Sequence, residues 1–137
     1  MSTLIDSNVI LDVIIPDPKW LDWSASYLRQ CADAGDVIIN PIVYAETSVR
    51  YLNGDEFDRI LSRQSFIREN LPWPAAFRAG KAQLEYRRGG GARDRTPPDF
   101  FIGAHAEVRG HRLLTRDARR YRAYFPDLEI IAPDSHP

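Results

Sequence analysis

Four short apolar runs, separated by segments with helical periodicity, constrain the fold of this chain more than any other feature. The runs lie at residues 3–5, 37–39, 112–115 and 128–131. Between them, apolar residues recur every three or four positions, which is the spacing of an amphipathic helix. Short buried strands that alternate with helices form a parallel sheet covered on both faces. The sequence therefore predicts an α/β fold, a three-layer α/β/α sandwich with a central parallel sheet.

Capping residues mark the ends of several predicted helices. Asn40 followed by Pro41 is typical of a helix start, since asparagine caps free amides and proline suits the first helical position. Gly35 and Gly110 stand where C-cap glycines are expected. The segment 89–96, rich in glycine and arginine, is predicted to be a flexible connector. Helices are predicted over residues 9–15, 20–34, 41–52, 55–70, 75–88, 97–108 and 117–124.

Length and composition narrow the class of protein. A chain of 137 residues, 44% of them hydrophobic, suits one domain over residues 1–137 with an ordinary apolar core. Cys31 is the one cysteine, so an intramolecular disulfide is impossible. The apolar runs are far shorter than the ~20 residues that cross a bilayer, and no signal-peptide pattern opens the chain. We therefore expect a cytoplasmic protein that does not associate with membranes.

Charge is unevenly distributed along the sequence. The formal net charge is −1, but residues 87–122 contain ten arginines and four acids, a balance of +6, so the rest of the chain carries −7. Arginine forks suit phosphate oxygens better than lysine ammonium groups do. The pattern is typical of a nucleic-acid-binding surface, although a solvated, salt-bridged face or a docking surface for an acidic protein would look the same.

Two aspartates are predicted to meet at one edge of the sheet. Asp6 directly follows the first strand, and Asp117 follows the third after one intervening residue. In parallel sheets the binding crevice lies at the carboxyl ends of the strands, so polar residues in these places are candidate site residues. Taken singly, each aspartate is better explained as the N-cap of the helix that follows it.

Two further acids lie on apolar helix faces. Glu46 falls on the stripe formed by Ile42 and Val49, and Asp99 lies in the first turn of its helix, three residues before Ile102. A carboxylate on a buried face needs either an arginine partner or a cation. From the sequence, these two explanations are equally good for both residues.

Four acids at one edge of a sheet would require a cation. A pair of carboxylates ~4 Å apart repels by about 4 kcal/mol at an effective dielectric constant of 20. Oxygen ligands alone favour Mg²⁺ or Mn²⁺. Zinc is disfavoured because Cys31, His105, His111 and His136 lack the close spacings of zinc sites. We interpret His105 as a packed helix residue and His136 as part of a frayed tail.

The four acids occur in four distinct sequence segments. These are Leu4-Ile5-Asp6-Ser7-Asn8-Val9-Ile10-Leu11, Asn40-Pro41-Ile42-Val43-Tyr44-Ala45-Glu46, Pro98-Asp99-Phe100-Phe101-Ile102-Gly103-Ala104-His105-Ala106 and Leu113-Leu114-Thr115-Arg116-Asp117. In this order and spacing, the segments resemble the PIN-domain ribonucleases, most closely the VapC toxins of bacterial toxin-antitoxin pairs. Each segment alone is a weak signal, but the four together are specific and span essentially the whole chain.

The resemblance implies a PIN-like fold and a metal-dependent endoribonuclease whose catalytic and metal-binding residues are Asp6, Glu46, Asp99 and Asp117. They would hold one or two Mg²⁺ or Mn²⁺ ions, directly or through water, and hydrolysis would leave a 5′ phosphate. The expected supporting residues are Asn8 and Thr115, and the residues expected to contact the RNA backbone are Arg116, Arg119 and Arg120.

The resemblance also implies two protein partners, a VapB-like antitoxin and a second copy of the chain in a homodimer. Trp20, Trp23 and Tyr27 would suit an antitoxin groove, although aromatic residues at helical spacing are more often core. Two other functions stay open. One is a non-catalytic PIN-like module that binds RNA or protein. The other is a phosphatase of the haloacid dehalogenase type, which normally has an aspartate where Asn8 stands and a lysine later than Lys81.

Overall fold

Strand β1, Thr3–Ile5, lies in the middle of the sheet with all three residues buried. The computed structural model describes residues 1–91 and 97–137, and in these the strands pair in the order β3-β2-β1-β4-β5, all parallel. The other strands are β2 Val37–Ile39, β3 Phe66–Arg68, β4 Arg112–Leu114 and β5 Ile130–Ile131. Because all the strands are parallel, their carboxyl ends meet at one edge of the sheet.

Helices flank the sheet and connect its strands. They are α1 Ser7–Ile14, α2 Leu21–Ala34, α3 Pro41–Thr47, α4 Gly54–Leu61, α5 Trp73–Arg88, α6 Pro98–Arg109 and α7 Arg119–Tyr124. Helix α1 packs against α2 and α3, and α5 packs against α6. The predicted α/β/α sandwich with a central parallel sheet is confirmed. Within the described residues, no helix is both long enough and apolar enough to cross a membrane.

The order of the strands reverses direction beside β1. From β1 the chain builds β2 and β3 on one side, and it later adds β4 and β5 on the other side. At such a switch in strand order the flanking helices diverge and leave a crevice at the carboxyl edge of the sheet. Asp6, whose N–H donates to the Leu114 carbonyl oxygen at 2.9 Å, and Thr115 immediately follow the two strands that border this crevice.

The helix predicted over residues 55–70 is wrong beyond Leu61. Helix α4 ends there, and Phe66–Arg68 form β3, an edge strand that pairs only with β2 among the described strands. One residue of β3 is half-buried and the other two are exposed. Strand β3 therefore has no buried apolar run, and Ile67 falls by chance on the helical spacing of the segment before it.

The helix predicted over residues 41–52 also ends early. Its start is as expected, since Asn40 Oδ1 accepts the Val43 N–H at 2.9 Å, but α3 stops at Thr47. Thr47 Oγ1 donates to the Val43 carbonyl oxygen at 2.8 Å, a local bond that competes with continuation of the helix. Val49 is consequently 80% exposed, so Glu46 does not share an apolar stripe with it.

The C-terminal segment, predicted to be frayed, is docked on α2. Trp23 Nε1 donates to the His136 carbonyl oxygen at 2.7 Å, and the rings of Tyr27 and His136 meet edge-on with centroids 5.9 Å apart. The chain's own terminus therefore covers part of the aromatic face that the sequence offered as an antitoxin groove.

In the predicted connector, residues 92–96 lie outside the described residues.

Gly103 and Gly80 give a matched pair of substitutions with opposite expected effects. A Cβ at Gly103 would lie 2.6 Å from a ring carbon of buried Phe125 and 3.1 Å from one of buried Tyr121, so Gly103→Ala should lower the free energy of unfolding by about 1–3 kcal/mol. A Cβ at Gly80 in α5 would meet no described atom within 4 Å. Gly80→Ala should therefore raise stability by roughly 1 kcal/mol.

Urea unfolding of the two variants measures both changes. An unchanged midpoint for Gly103→Ala would contradict the close packing of α6 against Tyr121 in α7 and against Phe125, which follows α7.

Candidate active site

Asp6 is the most buried member of the acidic group at the carboxyl edge of the sheet. It follows β1 and caps α1, because its Oδ1 accepts the Ser7 N–H at 2.8 Å. The residue is 4% exposed. This burial raises the pKa of its carboxyl group to about 6, since desolvation disfavours the charged form, and the nearby Asp99 charge adds to the rise. Helix capping therefore explains the position of one carboxylate oxygen of Asp6, Oδ1, but not that of the other.

Three polar side chains surround the second oxygen of Asp6. Oδ2 accepts from Thr115 Oγ1 at 2.8 Å, from the Tyr121 hydroxyl at 3.0 Å and from Asn8 Nδ2 at 3.5 Å. Thr115 Oγ1 also accepts from Asn8 Nδ2 at 3.3 Å and from the Asp117 N–H at 3.2 Å. The structure thus places Asn8 and Thr115 beside Asp6, where the sequence analysis expected supporting residues.

Tyr121 is a contact of Asp6 that the sequence analysis missed. It is 1% exposed, and burial raises the pKa of its hydroxyl well above the usual value, so the group stays protonated and donates. Its position four residues after Asp117 was a signal, since four residues make about one helical turn. That signal was hidden because a tyrosine in an apolar pattern is normally assigned to the core, to which Tyr121 also belongs.

Glu46 approaches from α3 and has no cationic partner among the described residues. Its Oε1 is buried and accepts no hydrogen bond from any described residue. Burial raises the pKa of this carboxyl group, the Ser7 side chain opposes the rise, and the charges of Asp6 and Asp99 add to it. The salt bridges formed within residues 1–91 and 97–137 do not include Glu46. The arginine-partner explanation left open for Glu46 is therefore not supported.

Asp99 and Asp117 approach the same edge from α6 and from the loop after β4. Burial raises the pKa of Asp99, Arg120 opposes the rise, and Asp117 adds a repulsive charge. The Asp99 Oδ2 and Arg120 Nη1 atoms are 3.6 Å apart, so Asp99 does have an arginine partner. Asp117 is exposed, and its Oδ1 accepts the Arg119 N–H at 3.4 Å, which is a weak version of the predicted helix cap.

The four acids fit a divalent cation that prefers oxygen ligands. The unpaired Glu46 oxygen is a buried acceptor, and burial with mutual repulsion disfavours the charged forms of Asp6, Glu46 and Asp99. A cation would offset both effects. Within the described residues, no three of the four bring oxygens within 4.8 Å of one another, so water would complete the coordination, as Mg²⁺ prefers.

Arg116, predicted to contact RNA, is paired with a buried acid. Its Nε and Nη2 atoms donate to Asp12 Oδ2 and Oδ1 at 2.9 and 3.0 Å. Asp12 is 2% exposed, and the guanidinium lies 5.4 Å from the centroid of the Trp20 ring. This bidentate pair occupies the fork that a phosphate would need. Arg119 and Arg120 are exposed, as a backbone-contacting role requires.

A second cluster, formed by Glu69, His105 and His111, was not foreseen because its members are far apart in sequence. Their ligand atoms all lie within 4.8 Å of one another, near enough for a metal ion to join them. Glu69 Oε1 lies 2.9 Å from His105 Nε2 and 2.8 Å from His111 Nε2. Burial opposes ionisation of Glu69, but hydrogen bonds from His111 and His105 hold its pKa below the usual range.

The contacts of Asn40 decide the protonation of His105. Because Asn40 Oδ1 accepts from Val43, its amide nitrogen faces His105 Nδ1 at 3.0 Å and must donate to it. The His105 proton therefore resides on Nε2, where it is donated to Glu69 and leaves no lone pair for a metal. Burial also lowers the pKa of His105, in keeping with a neutral ring. The sequence interpretation of His105 as a packed helix residue agrees with its 0% exposure, and the cluster is a hydrogen-bond network.

The fold and the site define an α/β/α domain with a cation-compatible acidic crevice at the carboxyl edge of its sheet. Residues 3–126 match the family model described as the PIN domain. The chain therefore belongs to the PIN domain family. The comparison with curated proteins gave no match.

Solved structures of low sequence identity share the fold over nearly the full length of both chains. VapBC2 from Rickettsia felis, bound to a DNA fragment from its promoter, is 18% identical with a TM-score of 0.72, covering 96% of this chain and 98% of the other. FitAcB from Neisseria gonorrhoeae is 23% identical with a TM-score of 0.71, covering 98% and 99%. A toxin-antitoxin complex from Klebsiella pneumoniae is 21% identical with a TM-score of 0.65, covering 96% and 97%.

Proposed function

We propose that this protein is a metal-dependent endoribonuclease of the VapC type, a toxin that hydrolyses RNA phosphodiester bonds and is neutralised by an antitoxin. The observation that supports this most directly is the group of acids at the strand-order switch of a PIN domain, in which Asp6 is buried and Glu46 Oε1 has no hydrogen-bond partner among the described residues. A cluster of this kind is unfavourable unless a cation binds to it. A phosphodiester is the substrate class that brings its own negative charge to such a cation.

In this proposal Asp6, Glu46, Asp99 and Asp117 would hold Mg²⁺ or Mn²⁺. When bound, the ion supplies charge stabilisation at the phosphate and a lowered pKa for water. Glu46, which has an unpaired oxygen and a raised pKa, is suited to orient the attacking water and accept its proton. The bond from phosphorus to the 3′ oxygen breaks, so the products are a 3′ hydroxyl and a 5′ phosphate.

RNA binding would involve the arginines beside the acidic group. Arg119 and Arg120 are exposed at the start of α7, two and three residues after Asp117. Arg120 also lies over the rings of Tyr86 and Phe100, at 5.7 and 6.0 Å from their centroids, which limits its movement. Contacts of this kind fix the position of a nucleic-acid backbone and do not read its sequence.

The protein partners are proposed on the basis of similarity. The solved structures that share this fold include a toxin-antitoxin complex, VapBC2 bound to DNA, and FitAcB. We infer an antitoxin of the VapB type for this chain and a homodimer as its assembly.

Removal and return of the metal test the proposed function. Purified protein incubated with a 5′-labelled structured RNA should cleave it in Mn²⁺ or Mg²⁺, lose activity in excess EDTA and regain it when Mn²⁺ is restored. The products should end in a 5′ phosphate and a 3′ hydroxyl. Cleavage that continues in EDTA would contradict the proposal, and tight Mn²⁺ binding without cleavage of any RNA would indicate a non-catalytic module.

A further inference from the structure

Besides the bond from Asn8 to Thr115, the loop between β4 and α7 is attached to α1 at two points through Arg116. The backbone N–H of Arg116 donates to Asn8 Oδ1 at 3.1 Å, and its guanidinium donates twice to Asp12, at 2.9 and 3.0 Å. Asn8 and Asp12 are four residues apart on α1, so they lie on one face of the helix, one turn apart. One arginine thus ties the loop to two successive turns of α1.

The pair is built as a structural contact and has little exposure to solvent. The side chain of Asp12 is 3% exposed and that of Arg116 is 31% exposed. Ser24 Oγ, from α2, donates to Asp12 Oδ2 at 2.7 Å, so both carboxylate oxygens have partners. Trp20 lies against the guanidinium from the same side. Breaking such a pair leaves an uncompensated buried charge, which is strongly unfavourable.

The two neighbours of Arg116 belong to the acidic site. Thr115 donates to Asp6, and Asp117 follows on the other side. The position of Arg116 therefore fixes where Asp117 stands relative to Asp6. We propose that Asp12 and Arg116, here called the clamp, are positioning residues that hold Asp117 in place for metal binding. This inference rests on the proposed function for its effect on catalysis, but its effect on loop order does not.

A direct contact between Arg116 and RNA is the competing explanation. It would require the guanidinium to leave Asp12 and expose a buried carboxylate, whereas Arg119, the first residue of α7, is already exposed. The two explanations make different predictions for Asp12. A positioning pair needs both members, but RNA binding would be favoured by removal of a neighbouring negative charge.

The experiment compares Arg116→Lys and Asp12→Asn with their matched controls Arg29→Lys and Asp33→Asn, which alter exposed residues of α2. Arg116→Lys keeps the charge that neutralises Asp12 but loses the bidentate fork, so it guards against simple unfolding. Three quantities are measured at equal folded fraction, set by thermal unfolding. They are amide hydrogen exchange at residues 115–117 without metal, Mn²⁺ affinity without RNA, and kcat, KM and salt dependence with RNA.

Both clamp variants should show faster exchange at residues 115–117 and Mn²⁺ binding weakened about 10- to 100-fold, the usual effect of removing a group that orients a metal ligand. We expect kcat to fall while KM and the salt dependence stay the same, and the double variant should be little worse than either single one. The comparison variant Arg119→Gln should instead reduce the slope of log affinity against log salt by about 0.7, as for one lost contact to a single strand.

Three results would overturn the inference. They are unchanged exchange at residues 115–117, unchanged Mn²⁺ affinity in both clamp variants, or a shallower salt slope for Arg116→Lys combined with improved RNA binding by Asp12→Asn. Failure of the proposed function would look different. In that case the unmodified protein would neither bind Mn²⁺ nor cleave RNA, while the exchange measurement would still decide whether the clamp orders the loop.

Discussion

RNA cleavage by an Asp6→Asn variant should be roughly 10³-fold slower than by the unmodified protein. Asp6 is the buried acid to which Thr115, Tyr121 and the Ser7 amide all donate, so its geometry is the most tightly fixed of the four. A bound metal ion contributes several kcal/mol of charge stabilisation to hydrolysis, and each 1.36 kcal/mol corresponds to a factor of ten in rate. Single-turnover cleavage of a labelled RNA in Mn²⁺ measures the loss.

Asp33→Asn is the matched control for this substitution. It makes the same chemical change at an exposed position near the end of α2, before the amino end of β2, and should leave the rate unchanged. Thermal unfolding of both variants separates a chemical effect from loss of folded protein. If folded Asp6→Asn cleaved RNA as fast as the unmodified protein, the assignment of the acidic crevice as the active site would be wrong.

A Glu46→Gln variant should be at least 10²-fold slower but more stable than the unmodified protein when no metal is present. Glu46 has a buried, unpaired oxygen, and burial and the charges of Asp6 and Asp99 raise its pKa. Removal of that charge relieves the repulsion. It should add about 0.5–2 kcal/mol to the free energy of unfolding, the usual gain from a single stabilising substitution. Thermal unfolding in EDTA at pH 7 measures the gain.

The pH dependence of this gain follows from the sign of the pKa shift. A raised pKa in the folded state means that the folded protein favours the protonated carboxyl, so the penalty is absent at acid pH and grows as the pH rises past the ordinary pKa of 4.5. The stability difference between Glu46→Gln and the unmodified protein should therefore be large at pH 7 and vanish below about pH 4.

Glu129→Gln serves as the control, since Glu129 precedes β5 at the opposite edge of the sheet and its side chain is 62% exposed. Saturating Mn²⁺ should reverse the order of stability, because the ion binds and stabilises the folded unmodified protein better. A Glu46→Gln variant less stable than the unmodified protein in EDTA at pH 7 would show that Glu46 is not repelled by its neighbours.

Sequence periodicity was sufficient for the layers of the fold and for four of its five strands among the described residues. Runs such as residues 37–39 are central strands, whose every position is buried, so they appear as unbroken apolar stretches. Strand β3 was missed because, unlike the other edge strand β5, it has no buried residue and so leaves no apolar run in the sequence. The end of α3 was missed because a threonine side chain bonded to a backbone carbonyl.

The positions of the acids followed from the sequence only in part. Asp6 and Thr115 come directly after buried parallel strands, and strands of one direction must bring such residues to a common edge. For Tyr121 the signal was weaker, its spacing from Asp117, and for the pairing of Arg116 with Asp12 there was none. Both contacts join residues that are 104 or 115 positions apart along the chain, so they depend on tertiary packing.

The amino-acid sequence by itself determined the alternation of strands and helices, and with it the edge of the sheet that Asp6 and Asp117 share. Local spacing is enough for this, since a strand's length and a helix's apolar face are properties of neighbouring residues. Only the tertiary structure decided the electrostatics. It gave Asp99 an arginine, gave Glu46 none among the described residues, and turned Arg116 toward Asp12, because burial and ion pairing depend on residues that are distant in the chain.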